Sequence, residues 1–315
     1  MPADGQELSL EHWLGLAGER YFGAGYKDVA YEMREARPGL VNFVVRYPDA
    51  WSLDAAGRPR ETHLSSVDAV VLTLMAAQTQ GAFGGANETA RISSVELRSG
   101  RTPWLDLSRV PLAFSTQPGD DAGEDVVVEA TAGNIRTRIG LREGGQRGDA
   151  PTLRIPPGSA PVYPTALRAV SSRTLISHVD RETSSIRAEH DFTENELSTG
   201  CYGGIEGARW PLITVIDYLV TMGQMSQAVV CLAKDITRSG MGNLWMRTMS
   251  IRATGRATPL GSRISTETRV VHDRSWVRDG TRVHDLQVES RSSDGIVASA
   301  KLAFFDEQTP SPAEH

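Results

Sequence analysis

A carboxylate inside a long apolar run is the feature of this sequence best suited to catalysis. Asp217 is surrounded by Leu212, Ile213, Val215, Ile216, Tyr218 and Leu219. Burial of an unpaired carboxylate costs free energy, and it raises the pKa toward the range useful for general acid or base catalysis. Asp217 is therefore our first catalytic candidate, and the alternative is a structural aspartate that caps a neighbouring loop.

The residues around Asp217 predict a polar stripe on one helix face. Thr214, Thr221 and Gln224 recur with Asp217 at helical spacing. A polar stripe on an otherwise buried helix must face a cavity, a partner chain or a substrate. We therefore expect Thr214, Thr221 and Gln224 to contact the substrate.

A second aspartate and a histidine lie at the start of an earlier apolar segment. Ser65, Ser66, Val67 and Asp68 fit a variant capping box, in which Asp68 serves the helix N-terminus. This role is favoured for Asp68, with catalysis as the alternative. His63 is the histidine nearest to either predicted helix start. It could supply a catalytic imidazole, or it could contact only backbone and solvent.

A glycine-rich loop, residues 201–210, precedes the helix that carries Asp217. It lacks the GxxxxGK[ST] and GxGxxG patterns of phosphate-binding loops. Gly203, Gly204 and the following helix N-terminus could instead present N–H groups to a thioester carbonyl, as an oxyanion hole does. Tyr202, Arg209 and Trp210 would border that site, and Tyr202 is a further candidate catalytic residue. No histidine or cysteine spacing indicates a metal site, and we expect no cofactor.

The elements that must position these residues occur in the same order twice. The first half predicts strands at 29–36 and 40–47, an apolar helix at 64–78, and strands at 91–97, 110–115, 126–130 and 135–141. The second predicts strands at 173–179 and 185–192, a helix at 211–233 with Pro211 in its first turn, and strands at 244–253, 263–271, 282–291 and 296–305.

The repeated order predicts two similar halves in one chain. Residues 146–161 are rich in Gly and Pro and form the best candidate linker, between halves at 1–145 and 162–315. When the two helices are overlaid, Asp68 matches Asp217. In each helix a glutamine follows the aspartate by ten residues, at Gln78 and Gln227.

Composition excludes several classes of function. The 315 residues carry a net charge of −6 without a basic cluster, which disfavours binding to nucleic acid or to an anionic membrane. No apolar run approaches the roughly 18 residues that span a bilayer. The first ten residues lack the basic and apolar regions of a signal peptide. We expect a cytoplasmic protein with reduced thiols.

The predicted order of elements resembles the hotdog fold. In each half, two strands are followed by a buried helix and then by four strands. The resemblance implies an α+β double hotdog, with two antiparallel sheets each wrapped around a long central helix. Hotdog dehydratases that act on carrier-protein thioesters place an acid six residues after a proline, as Pro211 and Asp217 do. Their partner histidine would fall at Gly203, or near Asp54 in the double form, and neither position has one. Ordinary dehydration of a 3-hydroxyacyl thioester is therefore in doubt.

The segment RYFGAGYKDVAY, residues 20–31, resembles the avirulence D family and the related butenolide-synthesis proteins of the A-factor type. The resemblance implies synthesis of small lactone signals or elicitors. A β-ketoacyl group would pass from a carrier thioester to a hydroxyl of a small sugar-like or glycerol-type acceptor. The implied partners are an acyl carrier protein or acyl-CoA thioester and the hydroxylated acceptor, and the chain would be a monomer or a homodimer.

Three hypotheses follow. The first is an acyltransferase or condensing enzyme of secondary metabolism with Asp217 as its base. The second is a dehydratase, isomerase or cyclase acting on a polyketide thioester, with His63 or Tyr202 as the partner of Asp217. The third is a non-catalytic binding module. The polar stripe discriminates among them, since a stripe that packs against protein with satisfied polar atoms removes the main support for catalysis by Asp217.

Overall fold

The computed structural model describes residues 8–49, 51–53, 57–81, 89–119, 123–142, 155–156, 158–238, 244–254, 257–278 and 280–305. Within these ranges the chain forms one large antiparallel sheet with few helices. Its first elements are β1 (Leu8–Ser9), α1 (Glu11–Leu14), β2 (Ala30–Arg37), β3 (Leu40–Arg46), α2 (Ser66–Thr79), β4 (Arg91–Arg98), β5 (Val110–Pro118), β6 (Val126–Ala132) and β7 (Ile135–Arg142).

The second half continues with the same order of long elements. These are α3 (Val162–Thr165), β8 (Val170–Asp180), β9 (Ser185–Glu194), α4 (Val215–Lys234), β10 (Trp245–Ala253), β11 (Arg263–Arg278), β12 (Thr281–Ser292) and β13 (Ile296–Phe305). The predicted succession of two strands, a helix and four strands is confirmed in both halves. The strands were predictable because apolar and charged residues alternate along them. In β7, for example, Ile135 and Ile139 are buried while Arg136 between them is exposed.

The strands of both halves belong to a single sheet of 13 strands. The strand order is β1-β8-β9-β11-β12-β13-β10-β4-β7-β6-β5-β3-β2, so corresponding strands follow the same order from each end inward. The halves join where β10 pairs with β4, with Ile251 opposite Val95. The prediction of two separate sheets was therefore wrong on this point. Pairing satisfies the backbone groups that two free edge strands would leave exposed.

Each long helix is buried against strands of its own half. α2 contacts β5, β6 and β7, whereas α4 contacts β9, β11 and β12, and the two helices also touch each other. Val70, Val71, Leu72 and Leu74 of α2 are fully buried, as expected for a helix that is apolar nearly all round. By length and composition α4 could cross a membrane, contrary to our expectation, but 89% of the qualifying window is buried inside the protein.

The start of α4 differs from the prediction. The helix begins at Val215, and Thr214 is its N-cap. Pro211 therefore lies in the preceding segment rather than in the first turn. Leu212, beside it, forms an isolated bridge with Pro259. The apolar run continued across this segment, so hydrophobicity alone did not mark where the helix begins.

The first residues of the chain pack on the second half. β1 pairs with β8, and α1 contacts α4. The Lys27 ammonium donates to the carbonyl of Val170 at 2.5 Å. Most of the predicted linker lies outside the described residues, and the boundaries at 145 and 162 stay a prediction.

Candidate active site

The first turn of α2 places a buried carboxylate in a capping box. Ser65 is the N-cap, and its hydroxyl accepts from the Asp68 N–H at 3.1 Å. The Ser65 N–H donates in return to Asp68 Oδ2 at 2.7 Å. The predicted capping role of Asp68 is confirmed, and the carboxylate is completely buried.

Three tyrosines add to the hydrogen bonds of Asp68. The hydroxyls of Tyr21 and Tyr31 donate to Oδ1 at 3.1 and 2.7 Å, and Tyr47 donates to Oδ2. Burial, followed by the negative charge of Asp68, raises the pKa of each tyrosine well above its ordinary value. The hydroxyls therefore keep their protons. The Asp68 oxygens already accept hydrogen bonds from these hydroxyls and from the Ser65 N–H, so Asp68 is suited to fixing the tyrosines in place.

A cavity of about 190 Å³ opens beside this cluster. Tyr21 and Ser65 line it, and Tyr21 Oη lies 2.5 Å from Ser65 Oγ. Both halves contribute to the wall, whose apolar part includes Trp51, Leu64, Trp104, Leu244, Trp245 and Met246. A largely apolar cavity with a few convergent polar groups is typical of small-molecule sites.

His63 lies in the wall of this cavity between two aromatic rings. Its ring centroid is 5.7 Å from that of Trp51 and 5.9 Å from that of Trp245. Nδ1 lies 3.2 Å from the Glu61 carbonyl oxygen, which can only accept a hydrogen bond. Nδ1 must therefore carry the proton in this contact. Nε2 of the neutral ring is then left with a lone pair, as a general base requires.

The first turn of α4 repeats the capping box around Asp217. Thr214 donates to Asp217 Oδ2 through its N–H at 2.8 Å and through its hydroxyl at 2.7 Å. The Asp217 N–H donates to the Thr214 hydroxyl. Asp217 is 2% exposed, and burial raises the pKa of its carboxyl, as predicted. Both aspartates therefore belong to capping boxes. The sequence favoured a capping role for Asp68 alone, so this role does not separate Asp68 from Asp217.

The predicted polar stripe on α4 packs against protein. The Thr214 hydroxyl donates to Asp217 within the capping box. Gln224 Oε1 accepts from the buried Arg20 guanidinium at 2.8 Å. Thr221 is buried as well. Neither these three residues nor Asp217 lines the cavity at α2. The stripe therefore gives no support to a substrate site around Asp217.

Other residues of the protein occupy the space beside the glycine-rich loop that precedes α4. The Gly203 N–H donates to the Ala160 carbonyl at 2.7 Å, so it is not available to a substrate. The Ile205 N–H donates to Gln78 Oε1 at 2.9 Å. Gly204 has φ +75°, and a Cβ there would lie 1.8 Å from Gln78 Oε1. Gln78, from the end of α2, thus occupies the place predicted for a thioester carbonyl.

The remaining residues of this loop also have partners in the protein. Tyr202 is buried, packs edge-on against Trp210 at 4.7 Å, and its hydroxyl accepts from the Thr199 N–H. Trp210 Nε1 donates to Glu194 at 2.8 Å. Arg209 Nε lies 3.4 Å from the Thr89 carbonyl. These contacts explain the three residues structurally, and a substrate role for them stays a prediction.

His63 and Asp217 belong to different helix starts. His63 immediately precedes α2, while Asp217 lies in the first turn of α4. No hydrogen bond or ring contact described for His63 involves Asp217. Asp54, near which a partner histidine would fall in the double form, lies outside the described residues.

Several residues of this region were not selected from the sequence. Arg20, Tyr21 and Tyr31 come from the segment that carried the family resemblance, and the resemblance was the signal that could have identified them. Gln227 lines the cavity, and its repeat relation to Gln78 had already marked it. Glu206 is 4% exposed and accepts from the Tyr163 hydroxyl at 2.6 Å. Burial raises its pKa, and no sequence pattern indicated it.

A larger hollow of about 890 Å³ lies over strands β4, β5, β6, β7 and β10. Its wall carries Glu96, Arg98, Glu129, Arg136 and Arg138. It contains neither a histidine nor a buried carboxylate. Its size therefore does not make it the better candidate for catalysis.

Residues 7–289 match the family described as Pseudomonas avirulence D protein (AvrD). The match covers most of the chain, as the resemblance of residues 20–31 implied. Comparison with curated protein sequences finds no significant match.

Solved structures with a similar course of the chain include thioesterases and a dehydratase domain. The tesB protein from Mycobacterium avium subspecies paratuberculosis is 12% identical with a TM-score of 0.45, over 88% of this chain and 96% of its own. The dehydratase domain of RzxB from Pseudomonas fluorescens is 14% identical with a TM-score of 0.40, over 87% and 96%.

Proposed function

The chain belongs to the avirulence D protein family, and from that premise we propose that it is an acyl-thioester enzyme of secondary metabolism. The reaction would transfer a β-ketoacyl group from a carrier thioester to a hydroxyl of a small acceptor. We place it in the cavity at the start of α2. The observation that carries this placement is the convergence of His63, Tyr21 and Ser65 on one apolar cavity.

The chemistry of the cavity suits acyl transfer. In the proposed step, His63 Nε2 takes the proton of the acceptor hydroxyl while the oxygen of that hydroxyl attacks the thioester carbonyl carbon. The C–S bond then breaks, and the proton passes from His63 to the departing thiolate. The oxyanion that forms in between needs hydrogen-bond donors. The N–H groups of a helix's first turn lack intrahelical partners, and Ser66 of that turn lines the cavity.

Asp68 and its tyrosines would position the site rather than react. Tyr21 links the cavity wall to the buried carboxylate, because its hydroxyl contacts both Ser65 and Asp68. Fixed donors avoid the cost of reorganisation during the reaction. Asp217, the first candidate from the sequence, would be a structural residue of the second half.

We also propose that the fold is a double hotdog whose two sheets have merged. The support is the mirrored strand order and the placement of one helix against the strands of each half. A cavity shared by both halves agrees with this arrangement, because the N-terminus of one helix faces residues that follow the other.

The test supplies a β-ketoacyl carrier thioester with triose or pentulose acceptors and follows the acyl ester by mass spectrometry. The expected product has the mass of the free β-keto acid plus the acceptor minus water, with release of one thiol per product. His63→Gln should remove product formation, while Asp217→Asn should retain it. Absence of product with every acceptor would contradict the proposal, and so would full activity of His63→Gln.

A 3-hydroxyacyl thioester in a parallel reaction separates transfer from dehydration. Loss of water without an acceptor would assign the cavity to a dehydratase instead. Saturable ligand binding with neither reaction would assign the chain to the binding modules. Each outcome excludes acyl transfer if the β-ketoacyl reaction also fails.

A further inference from the structure

A row of basic side chains crosses the outer face of the sheet near its centre. Arg136 of β7 lies directly opposite Arg98 of β4. On the other side of Arg98, Thr248 of β10 separates it from Lys301 of β13. Arg98, Arg136 and Lys301, which we call the basic row, are exposed, whereas Thr137 next to Arg136 is buried. Because neighbouring residues of a strand point to opposite faces, the basic row lies on the face away from the helices.

The positive charges of the basic row are not balanced within the described part of the chain. One step along the same two strands, Arg138 lies opposite Glu96. In the basic row Arg98 faces Arg136 instead, and no ion pair among the described residues joins either arginine or Lys301 to an acidic side chain. Like charges directly opposite each other in a sheet cost free energy. Such a cluster, in a chain of net charge −6, indicates a binding partner of negative charge.

The basic row borders the wall of the cavity at the start of α2. Arg98 is followed directly by Ser99, which lines the cavity. Arg136 directly follows Ile135, which lines the cavity as well. A partner bound on the basic row therefore lies beside the cavity in which we place acyl transfer.

Strand β10 adds another arginine at this border. The register of β10 against β13 shifts between Met246 and Thr248, so Arg247 is an extra residue at this point, and it is exposed. The Arg247 carbonyl accepts from the Ser99 N–H at 3.1 Å. Met246 lines the cavity, while Thr248 lines the hollow over the outer face of the sheet. Bulges often redirect side chains beside functional sites, and this one places positive charge between the cavity and the hollow.

The hollow of about 890 Å³ indicates what kind of partner fits the basic row. Arg98 and Arg136 line it together with the small side chains of Ala113, Ser115 and Ser250. A sheet face with small residues and exposed charges suits contact with a second protein surface. Small-molecule sites are instead mostly apolar and enclose their ligand. Complementary charge across such a surface speeds association and selects the partner.

We propose that the basic row docks an acidic face of the carrier protein whose thioester is the acyl donor. The inference rests on the proposed function, because it concerns delivery of the acyl group to the cavity that contains His63. Among the reactants of that function, the carrier is the one with a protein surface that can cover the hollow. Docking beside Ser99 and Ile135 lets the arm of the carrier enter the cavity while the carrier itself stays outside.

Kinetics of the double variant Arg98→Gln/Arg136→Gln test the docking surface. KM for a β-ketoacyl carrier thioester should rise about 10-fold or more while kcat stays within about twofold, since charges at the rim of an interface act on association. The N-acetylcysteamine thioester of the same acyl group has no carrier protein, so its kcat/KM should not change. The matched control is Arg187→Gln/Arg269→Gln, which also removes two exposed charges, here from arginines paired with acids on distant strands. The control should leave both substrates unaffected.

Binding of a carrier protein that bears its pantetheine arm tests docking without any turnover. Fluorescence anisotropy of a label on the carrier gives Kd. Kd of the wild type should rise about 10-fold between about 50 and about 300 mM NaCl, because salt screens exposed charges. The double variant should bind about 10-fold more weakly at low salt and depend less on salt. Both arginines are exposed, so we expect the variant to fold, and circular dichroism melting checks this.

Equal carrier affinity and equal salt dependence of the folded double variant and the wild type would overturn the docking surface. A coenzyme A thioester whose kcat/KM falls as far as that of the carrier thioester would also overturn it, since the row would then bind a small anionic donor. Transfer from the carrier that is indifferent to both substitutions would remove the docking surface and leave the proposed function standing. Salt-sensitive carrier binding that both substitutions weaken, without any transfer, would do the reverse.

Discussion

The starts of α2 and α4 have the same local structure and different surroundings. Each has a hydroxyl residue as N-cap and an aspartate three residues later, in a reciprocal capping box. Around Asp68 three tyrosine hydroxyls converge, and a cavity lies beside them. Asp217 does not line this cavity, and the glycine-rich loop before α4 is occupied by the side chain of Gln78. The same capping box therefore serves the folding of both helices, whereas the cavity with His63 lies at the start of α2, which we call the open site.

Gln78 and Gln227 show how this difference arises. They hold equivalent places, ten residues after each aspartate. Gln78 accepts from a backbone N–H of the other half, whereas Gln227 faces the cavity. The same residue type therefore binds the backbone of a loop in one place and lines a cavity in the other.

The largest expected effect is on catalysis at the open site. Replacement of His63 by Gln should lower kcat for acyl transfer by about 100-fold or more, since general base catalysis contributes about that much. Asp217→Asn should change kcat by less than about threefold, because Asp217 does not line the cavity that contains His63. Steady-state thiol release measures both. A larger loss for Asp217→Asn than for His63→Gln would move the catalytic assignment from the open site to the start of α4.

The second effect concerns the stability of the two capping boxes. Asp68→Asn should lower the free energy of unfolding by about 3 kcal/mol, because an amide nitrogen cannot accept the hydrogen bonds of the buried tyrosines. Asp217→Asn loses chiefly a cap, which costs about 1 kcal/mol. Urea unfolding followed by tryptophan fluorescence measures both. Equal losses would mean that the tyrosines add nothing to the Asp68 cap.

The third effect tests how closely Gln78 packs against the glycine-rich loop. Gly204→Ala should destabilise the protein by about 2 kcal/mol, since its Cβ would clash with Gln78 Oε1 in addition to the strain of a positive φ. Gly200→Ala is the matched control, with φ +74° and open space around its Cβ. The excess loss of Gly204→Ala over Gly200→Ala should shrink when Gln78 is also replaced by Ala. The measurement is thermal unfolding of four variants, namely Gly204→Ala and Gly200→Ala, each with and without Gln78→Ala.

The smallest effect is a pH dependence at Asp217. Burial raises the folded-state pKa of this carboxyl above its unfolded value, so ionisation costs stability at neutral pH. As pH falls through the raised pKa, the protonated wild-type residue no longer bears this cost. The stability of Asp217→Asn relative to wild type should therefore be greatest near pH 7 and decline toward acid. Urea midpoints of both proteins across this range provide the measurement, and a difference that grows toward acid would contradict the raised pKa.

Local patterns in the sequence were enough for the elements and their order. Alternation gave the strands, continuous apolarity gave α2 and α4, and Ser65 with Asp68 gave one capping box. The start of α4 was misplaced because the apolar run began before the helix does. Burial of Asp217 and its raised pKa could also be predicted, since both follow from the apolar residues around it.

Tertiary structure alone decided which helix start is open. Sequence reasoning favoured Asp217 because it considered each aspartate with its own neighbours along the chain. The surroundings of Asp68 come instead from Tyr21, Tyr31 and Tyr47, and the cavity wall includes Arg238 and Trp245 from the other half. A capping box depends on residues within one turn, so the sequence determines it. A cavity depends on side chains that only folding brings together, and no spacing along the chain records their distance.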